Sequence, residues 1–325
     1  MTHARRIAIA ALALTCALPA AAQNWPARHI TMIVPFGPGS GSDIVGRILS
    51  QRMSEELGQQ VIVENMGGGG GSIGANRAAK TEPDGYTSVM GAVDTFAQNQ
   101  TLYKNPPYNP ATDFVPILLA GEQPLLLIAR KDLPPSNLGE LAAYMKVNQG
   151  KMQFGSSGIG SAPHLACSQI AAAAGVTLAH VPYRGSAPAL QDMVAGNLDL
   201  YCPLAAGAIP LIEAKSVKAL AVLTQQRSPL LPDLPTAAEQ GFANVDGYYW
   251  IGFFAPKGTP EPVVAKLTAS VEKAIDTPAV QARLRDVGTT VMPRERRSPA
   301  YLKTFVEAEI AKWAVIIKAS GVAPN

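Results

Sequence analysis

Short apolar runs alternate with longer amphipathic ones along most of the chain, which is the pattern of an α/β fold with largely parallel sheets. Ile30–Pro35, Val61–Glu64 and Ser88–Ala92 read as strands, with helices predicted over Asp43–Leu57 and through Ala75–Lys80. Ile117–Leu119 and Leu125–Ile128 are further strand candidates that together can make one long element. Met152–Phe154, Val176–Val181, Leu198–Tyr201, Ala219–Leu223 and Tyr248–Ala255 complete the predicted strands. Helices are expected over His164–Ala174, Ala187–Ala195, Val263–Asp276, Ala279–Asp286 and Pro299–Ser320. Pro229, Pro232 and Pro235 mark an extended surface crossing, because proline removes backbone donors and fixes φ.

The N-terminus stands outside this pattern. Arg5 and Arg6 precede an apolar run from Ile7 to Leu18, and Ala20-Ala21-Ala22 follows as a small-residue cleavage site. That order predicts a cleavable signal peptide over residues 1–22, too short to span a bilayer. Cys16 as a lipidated residue is the competing reading, weakened by Thr15 before it. Cleavage would leave about 300 residues, enough for two domains with separate cores. Loss of Arg5 and Arg6 from 27 basic against 24 acidic side chains brings the mature chain close to neutrality. Such a chain has no electrostatic footprint for nucleic acid or an anionic membrane surface, and no later stretch is long and apolar enough for membrane insertion. Cys167 and Cys202 remain, and in an oxidising compartment they are expected to pair.

Three segments repeat one layout, an apolar strand, a Gly/Ser loop and a helix. They are Pro35–Asp43, Asn65–Gly74 and Gly155–Pro163. Such loops aim backbone N–H groups from a helix N-terminus at one point, where the dipole favours an anion, and serine hydroxyls add donors. None of the three carries Lys or Arg, so anion binding would rest on dipoles and hydroxyls. Three hydrogen bonds to a charged acceptor contribute about 5–9 kcal/mol gross at about 1.5–3 kcal/mol each. Micromolar affinity needs about 8 kcal/mol net, so both ends of a ligand have to be held.

The second loop also mimics enzyme motifs. Gly69-x-Gly71-x-x-Gly74, with Asp94 further on, fits the dinucleotide fingerprint, although five consecutive glycines satisfy almost any glycine pattern. Gly70-Gly71-Ser72-Ile73-Gly74 fits the nucleophile elbow of a serine hydrolase, with Ser72 as nucleophile. The available bases are His29, His164 and His180, of which His164 is expected at a helix start and His180 in a strand. Three scattered histidines and two distant cysteines make no metal-binding spacing. No cofactor motif stands out, and a catalytic role is not expected.

Several motifs in fixed order resemble the Bug-type receptors, the extracytoplasmic solute-binding components of tripartite tricarboxylate transporters. They are Pro35-Phe36-x-Pro38-Gly39-x-x-x-Asp43, Glu64-Asn65 before the glycine run, Pro83-Asp84-Gly85-Tyr86-Thr87 and Pro182-Tyr183-Arg184-Gly185. Ala187-Leu190 through Gly196-x-Leu198-Asp199, and Ala255-Pro256-x-Gly258-Thr259-Pro260, continue the match. The resemblance implies a two-lobed periplasmic binding-protein fold of type II, each lobe a mostly parallel sheet flanked by helices. Residues 23–123 with 248–325 would form lobe 1 and residues 124–247 lobe 2, joined by crossing strands near Glu122–Ile128 and Tyr248–Phe254.

The resemblance further implies a carboxylate ligand in the cleft, membrane transporter subunits as partners, and a periplasmic monomer. Sensing for a membrane signalling partner shares the same fold and site. Carried over by position, the ligand contacts are Phe36, Gly39, Ser42, Thr95, Ser156, Ser161 and Tyr183. Asp43 is expected to cap its helix, and Arg184 to stand in solvent rather than clamp a second carboxylate. Relatives have Thr-His-Ala-x-Asn-Pro where this chain has Thr95-Phe96-Ala97-Gln98-Asn99-Gln100, and Gly69 replaces the family's alanine. Phe96 is therefore expected to enlarge the apolar character of the cleft.

Overall fold

The computed structural model describes residues 25–319 except Asp246; the expected signal peptide, Cys16 included, lies outside the described residues. In chain order the strands are β1 (Ile30–Val34), β2 (Val61–Asn65), β3 (Thr87–Ala92), β4 (Phe114–Pro124), β5 (Leu126–Arg130) and β6 (Gln153–Ser156). They continue with β7 (Ala179–Pro182), β8 (Leu200–Tyr201), β9 (Val217–Val222), β10 (Tyr248–Pro256) and β11 (Thr290–Val291). They form two sheets. One has six strands in the order β11-β4-β10-β3-β1-β2, the other five in the order β7-β6-β8-β5-β9.

Both sheets are mixed, where the apolar pattern predicted mostly parallel ones. Within the first, β1 pairs parallel with β2 and β3, while β10 runs antiparallel to β3 and β4. Within the second, β6 pairs parallel with β7 and β8, and β5 antiparallel to β8 and β9. The parallel parts are strand–helix–strand units; β10, by which the chain returns to the first sheet, and β5, by which it enters the second, run against their neighbours. β4 leads into β5 through Leu125 alone, and the return path reaches β10 through Gly247. The Leu125 N–H donates to the Gly247 carbonyl at 2.8 Å, and the Gly247 N–H to that of Leu223 at 2.7 Å. A Cβ at Gly247 would lie 2.2 Å from the Leu223 Cβ, so this junction accepts no side chain.

β1 shows why its sequence is a nearly unbroken apolar run. Ile30, Met32, Ile33 and Val34 are all buried, because helices cover both faces of the sheet. The helix Gly41–Leu57 supplies Val45, Ile48, Leu49 and Met53 to that core and packs on the helix Glu261–Asp276. It begins at Ser40, whose hydroxyl accepts the Asp43 N–H at 3.2 Å, and ends at Gly58 with φ +66°. Ser40 is therefore the N-cap, not Asp43. The Asp43 carboxylate instead reaches back to accept the Gly39 N–H at 2.9 Å.

Two helices of more than one turn escaped the sequence reading. Leu138–Asn148 starts with a capping box, Asn137 accepting from the Glu140 N–H and Glu140 from the Ser136 N–H. Ala205–Glu213 contains Gly207 and Pro210, which read as breakers, yet burial of Ala205, Ala206, Ala208 and Ile209 holds it helical. Phe96, expected near the cleft, lies in the core instead, fully buried and stacked on Phe254 at 4.0 Å between ring centroids with Phe114 beside it. Cys167 and Cys202 form a disulfide with Cα atoms 5.6 Å apart, tying the helix Ala162–Ala173 to the end of β8. A closed loop of that length contributes about 3–4 kcal/mol on the chain-entropy account.

Candidate functional site

All three glycine–serine loops open into one interface. The first two follow β1 and β2 of the six-stranded sheet; the third follows β6 of the five-stranded sheet, beside the turn after β7. A Cβ at Gly37 would lie 3.4 Å from the Arg184 carbonyl oxygen, and one at Gly39 3.8 Å from the Ala187 Cβ. Across the same gap, a Cβ at Gly70 would sit 2.7 Å from both the Ile159 oxygen and the Gly160 carbonyl carbon. A Cβ at Gly41 would lie 2.7 Å from the Leu204 side chain. The lobes thus approach backbone to backbone at Gly37 and Gly70, and side chains at Gly41 or Gly70 would push them apart.

The glycine run has its own conformational reason. Gly68, Gly69, Gly70 and Gly71 take φ values of +121°, +55°, +58° and +88°, a region that costs other L-residues about 1–2 kcal/mol each. The Gly69 carbonyl accepts from the hydroxyls of Ser72 and Tyr103, each at 2.7 Å. Ser72 has no histidine among its partners: its other contact is the Tyr103 hydroxyl at 3.3 Å. The elbow pattern in the sequence is a by-product of the turn.

The remaining carried-over residues are placed as follows. Phe36 is buried with its ring end against Gly71. The Gly39 N–H is taken by Asp43. Burial pushes the Asp43 carboxyl up, but hydrogen bonds from Arg47, Gly39 and Asn65 bring it below its usual range. The Ser42 hydroxyl meets the Tyr249 hydroxyl at 3.0 Å. Thr95 is fully buried, its hydroxyl turned back to the Ala92 N–H and carbonyl.

On the other lobe, Ser161 caps the helix Ala162–Ala173 and donates its hydroxyl to the Gly158 carbonyl at 2.7 Å. Ser156 meets His180 Nε2 at 2.7 Å, in a stack of Phe154, His180 and His164. Tyr183 donates to Asp192 at 2.6 Å, and burial pushes its hydroxyl up to about 12. Arg184 is exposed, and its carbonyl rather than its guanidinium faces Gly37 and Gly67.

Three further residues were not singled out as ligand contacts. Asp94 follows β3 and is 1% exposed. Its Oδ1 accepts the Thr95 N–H at 2.8 Å and faces the Tyr249 hydroxyl at 3.4 Å, while Oδ2 accepts the Ala162 N–H of the other lobe at 3.4 Å. Burial pushes this carboxyl up to about 7. Tyr249 and Gln123 are paired residues on the crossing strands β10 and β4, so their side chains share one face. The readable signal was a lone acid, Asp94, closing the run Val89–Val93 at the end of a strand. Among the described residues no cluster of three or more His, Cys, Asp or Glu has metal-binding geometry.

Comparison with known proteins agrees with this geometry. The family model "Tripartite tricarboxylate transporter family receptor" matches residues 45–322. The chain belongs to that family. A relative from Agrobacterium vitis, known as the UPF0065 protein of the TAR-I ttuE-ttuC' intergenic region, is 38% identical over 96% of this chain and 91% of its own. Protein BugT of Bordetella pertussis is 32% identical over 94% of this chain and 93% of its own. Among solved structures, the periplasmic binding protein BugD superposes with a TM-score of 0.89 at 40% identity, covering 92% of this chain and 99% of that one. MatC from Rhodopseudomonas palustris, solved with malate, gives 0.87 at 38% identity over 90% and 100%. A second R. palustris protein, solved with adipate, gives 0.88 at 35% identity over 93% and 100%. The fold is that of a two-lobed periplasmic binding protein, and the chain is a solute receptor, not an enzyme.

Two expected outcomes follow from the geometry. Gly70→Ala places a methyl group against Ile159 and Gly160, so ligand affinity falls at least tenfold by calorimetry while the melting temperature drops only a few degrees; an unchanged affinity contradicts the contact. The second concerns pH. Burial lowers His164, with the neighbouring His180 adding to it, and burial alone lowers His180, each to about 4. An unfolded chain therefore gains protons below about pH 6.5 that the folded one refuses, and stability falls on acidification from about 6.5 to 4. Asp94 acts in the opposite sense: its folded-state proton stabilises at low pH and that share is lost between about 4 and 7. Asp94→Asn consequently steepens the rise of stability with pH from 4 to 6.5 in denaturant titrations. An unaltered slope contradicts the assignment.

Proposed function

We propose that this receptor captures a small carboxylate in the gap between its lobes and delivers it to the membrane subunits of a tripartite tricarboxylate transporter. The observation that carries the reading is the meeting of glycine–serine loops from two sheets at one interface, which suits an anion gripped by backbone dipoles. The malate and adipate bound by two similar proteins support a carboxylate as the class. In this reading the chain is exported to the periplasm on its cleaved N-terminal segment and works there as a monomer.

Lobe 1 comprises residues 23–123 with 248–325 and lobe 2 residues 124–247, hinged where Leu125 pairs with Gly247. Ligand contacts come from Phe36, Gly39, Ser42 and Thr95 on one lobe and Ser156, Ser161 and Tyr183 on the other. Since the Gly39 N–H and the Thr95 hydroxyl have partners within their own lobe, ligand contacts there exchange those bonds for bonds to the ligand. Micromolar capture needs about 8 kcal/mol, more than one loop supplies, so both lobes are required and binding is coupled to closure. Titration calorimetry of the purified receptor against aliphatic and aromatic carboxylates, amino-bearing acids included, is expected to find at least one micromolar binder. A panel without heat or thermal stabilisation would contradict the proposal.

A further inference from the structure

The floor of the gap holds an acid of its own. The Asp94 carboxylate is buried where the two lobes meet, and no basic side chain among the described residues pairs with it or hydrogen-bonds to it. Its neighbours are the N–H groups of Thr95 and Ala162 and the Tyr249 hydroxyl, which in turn meets Ser42. A buried carboxylate of this kind is costly unless a cation joins it.

A second, independent feature lies alongside. Gln123 is 1% exposed, yet both Oε1 and Nε2 lack a hydrogen-bond partner. It stands opposite Tyr249 in the β4–β10 ladder, and its Oε1 approaches Gly41, next to Ser42. Leaving both ends of a buried amide unsatisfied is costly, so this amide is arranged for something that both accepts and donates.

We infer that Asp94, with Tyr249 and the Gln123 carbonyl, forms a subsite for a ligand ammonium group, so that the solute is an amino-bearing carboxylate rather than a plain dicarboxylate. The inference rests on the carboxylate reading and narrows it. The ligand's carboxylate lies against the glycine loops and the Gln123 amide nitrogen, and its ammonium beside Asp94. A second ligand carboxylate at this position would face Asp94 itself, whose Oδ2 is the partner of the Ala162 N–H in the closed arrangement. Because Ala162 belongs to the opposite lobe, the long 3.4 Å contact to Oδ2 breaks when the gap opens, and that oxygen becomes available to an incoming cation. Residual charge on Asp94 is then balanced from outside, and the Coulomb gain adds to closure.

Calorimetry on matched acids tests this. Glutarate, 4-aminobutyrate, glutamate and the corresponding shorter and longer homologues are titrated into the wild-type receptor, Asp94→Asn and Gln123→Leu, with melting curves confirming that each variant folds. The expected result is an amino-bearing acid that binds at least tenfold tighter than its matched dicarboxylate. Asp94→Asn abolishes that preference, and Gln123→Leu weakens the same ligand. Tighter binding of dicarboxylates to the wild type, or a preference for the amino acid that survives in Asp94→Asn, overturns the subsite while leaving the carboxylate reading intact. Silence from every carboxylate in the panel overturns both.

Discussion

Backbone meeting backbone across the gap is the constraint on which the rest of this structure depends. Gly70 lies so close to the backbone of Ile159 and Gly160 that no side chain fits there, Gly41 is as close to the Leu204 side chain, and Gly37 stands in van der Waals contact with the backbone of Arg184 and Gly185. Under the proposed function, such an approach is what lets amide dipoles from two sheets reach one ligand without a positive side chain nearby. The four consecutive positive φ values at Gly68–Gly71 bend the second loop into that contact. The same requirement explains the single-residue junction at Leu125 and the obligatory Gly247: a double crossing by short backbone segments lets two rigid sheets approach and separate.

Rigidity on each side complements that mobility. The six-stranded lobe is held by a continuous apolar core from β1 to the Phe96–Phe114–Phe254 group, and the five-stranded lobe adds the Cys167–Cys202 bridge behind the helix that Ser161 caps. A helix whose N-terminus faces the gap keeps its aim only if its far side is fastened, and the disulfide fastens it. The polar floor, Ser42–Tyr249–Asp94 with Gln123, sits on β10, β4 and the segment after β3, close to the crossing itself. In the proposed reading, a ligand held there lies beside the crossing strands, so its charge bears directly on closure.

Much of this was readable beforehand. β1, β2, β3 and β10 were apparent from their apolar runs, and the three loops from strand, Gly/Ser and helix in succession. The expected pairing of Cys167 with Cys202 is present. Other features depended on tertiary context. Sheet direction was misjudged because an apolar run does not reveal its partner's orientation, and the crossing strands run against the strand–helix–strand units. Phe96 was misplaced because aromatic character alone does not separate a cleft wall from a stack on Phe254. Asp94 entered the reading only as a partner for a dinucleotide motif; its meaning came from the helix that the other lobe brings to 3.4 Å. Gln123 carried no sequence signal, since an amide in a strand is ordinary until both of its ends are found without partners.

The central claim is that ligand is enclosed by movement of one lobe on the other about Leu125 and Gly247. Spin labels at Ile62 and Val194, exposed positions on opposite lobes, report this directly through their separation by pulsed electron resonance. With a saturating carboxylate ligand, the distance distribution is expected to contract to one narrow population, and without it to broaden and lengthen. Identical distributions in both states would contradict the account.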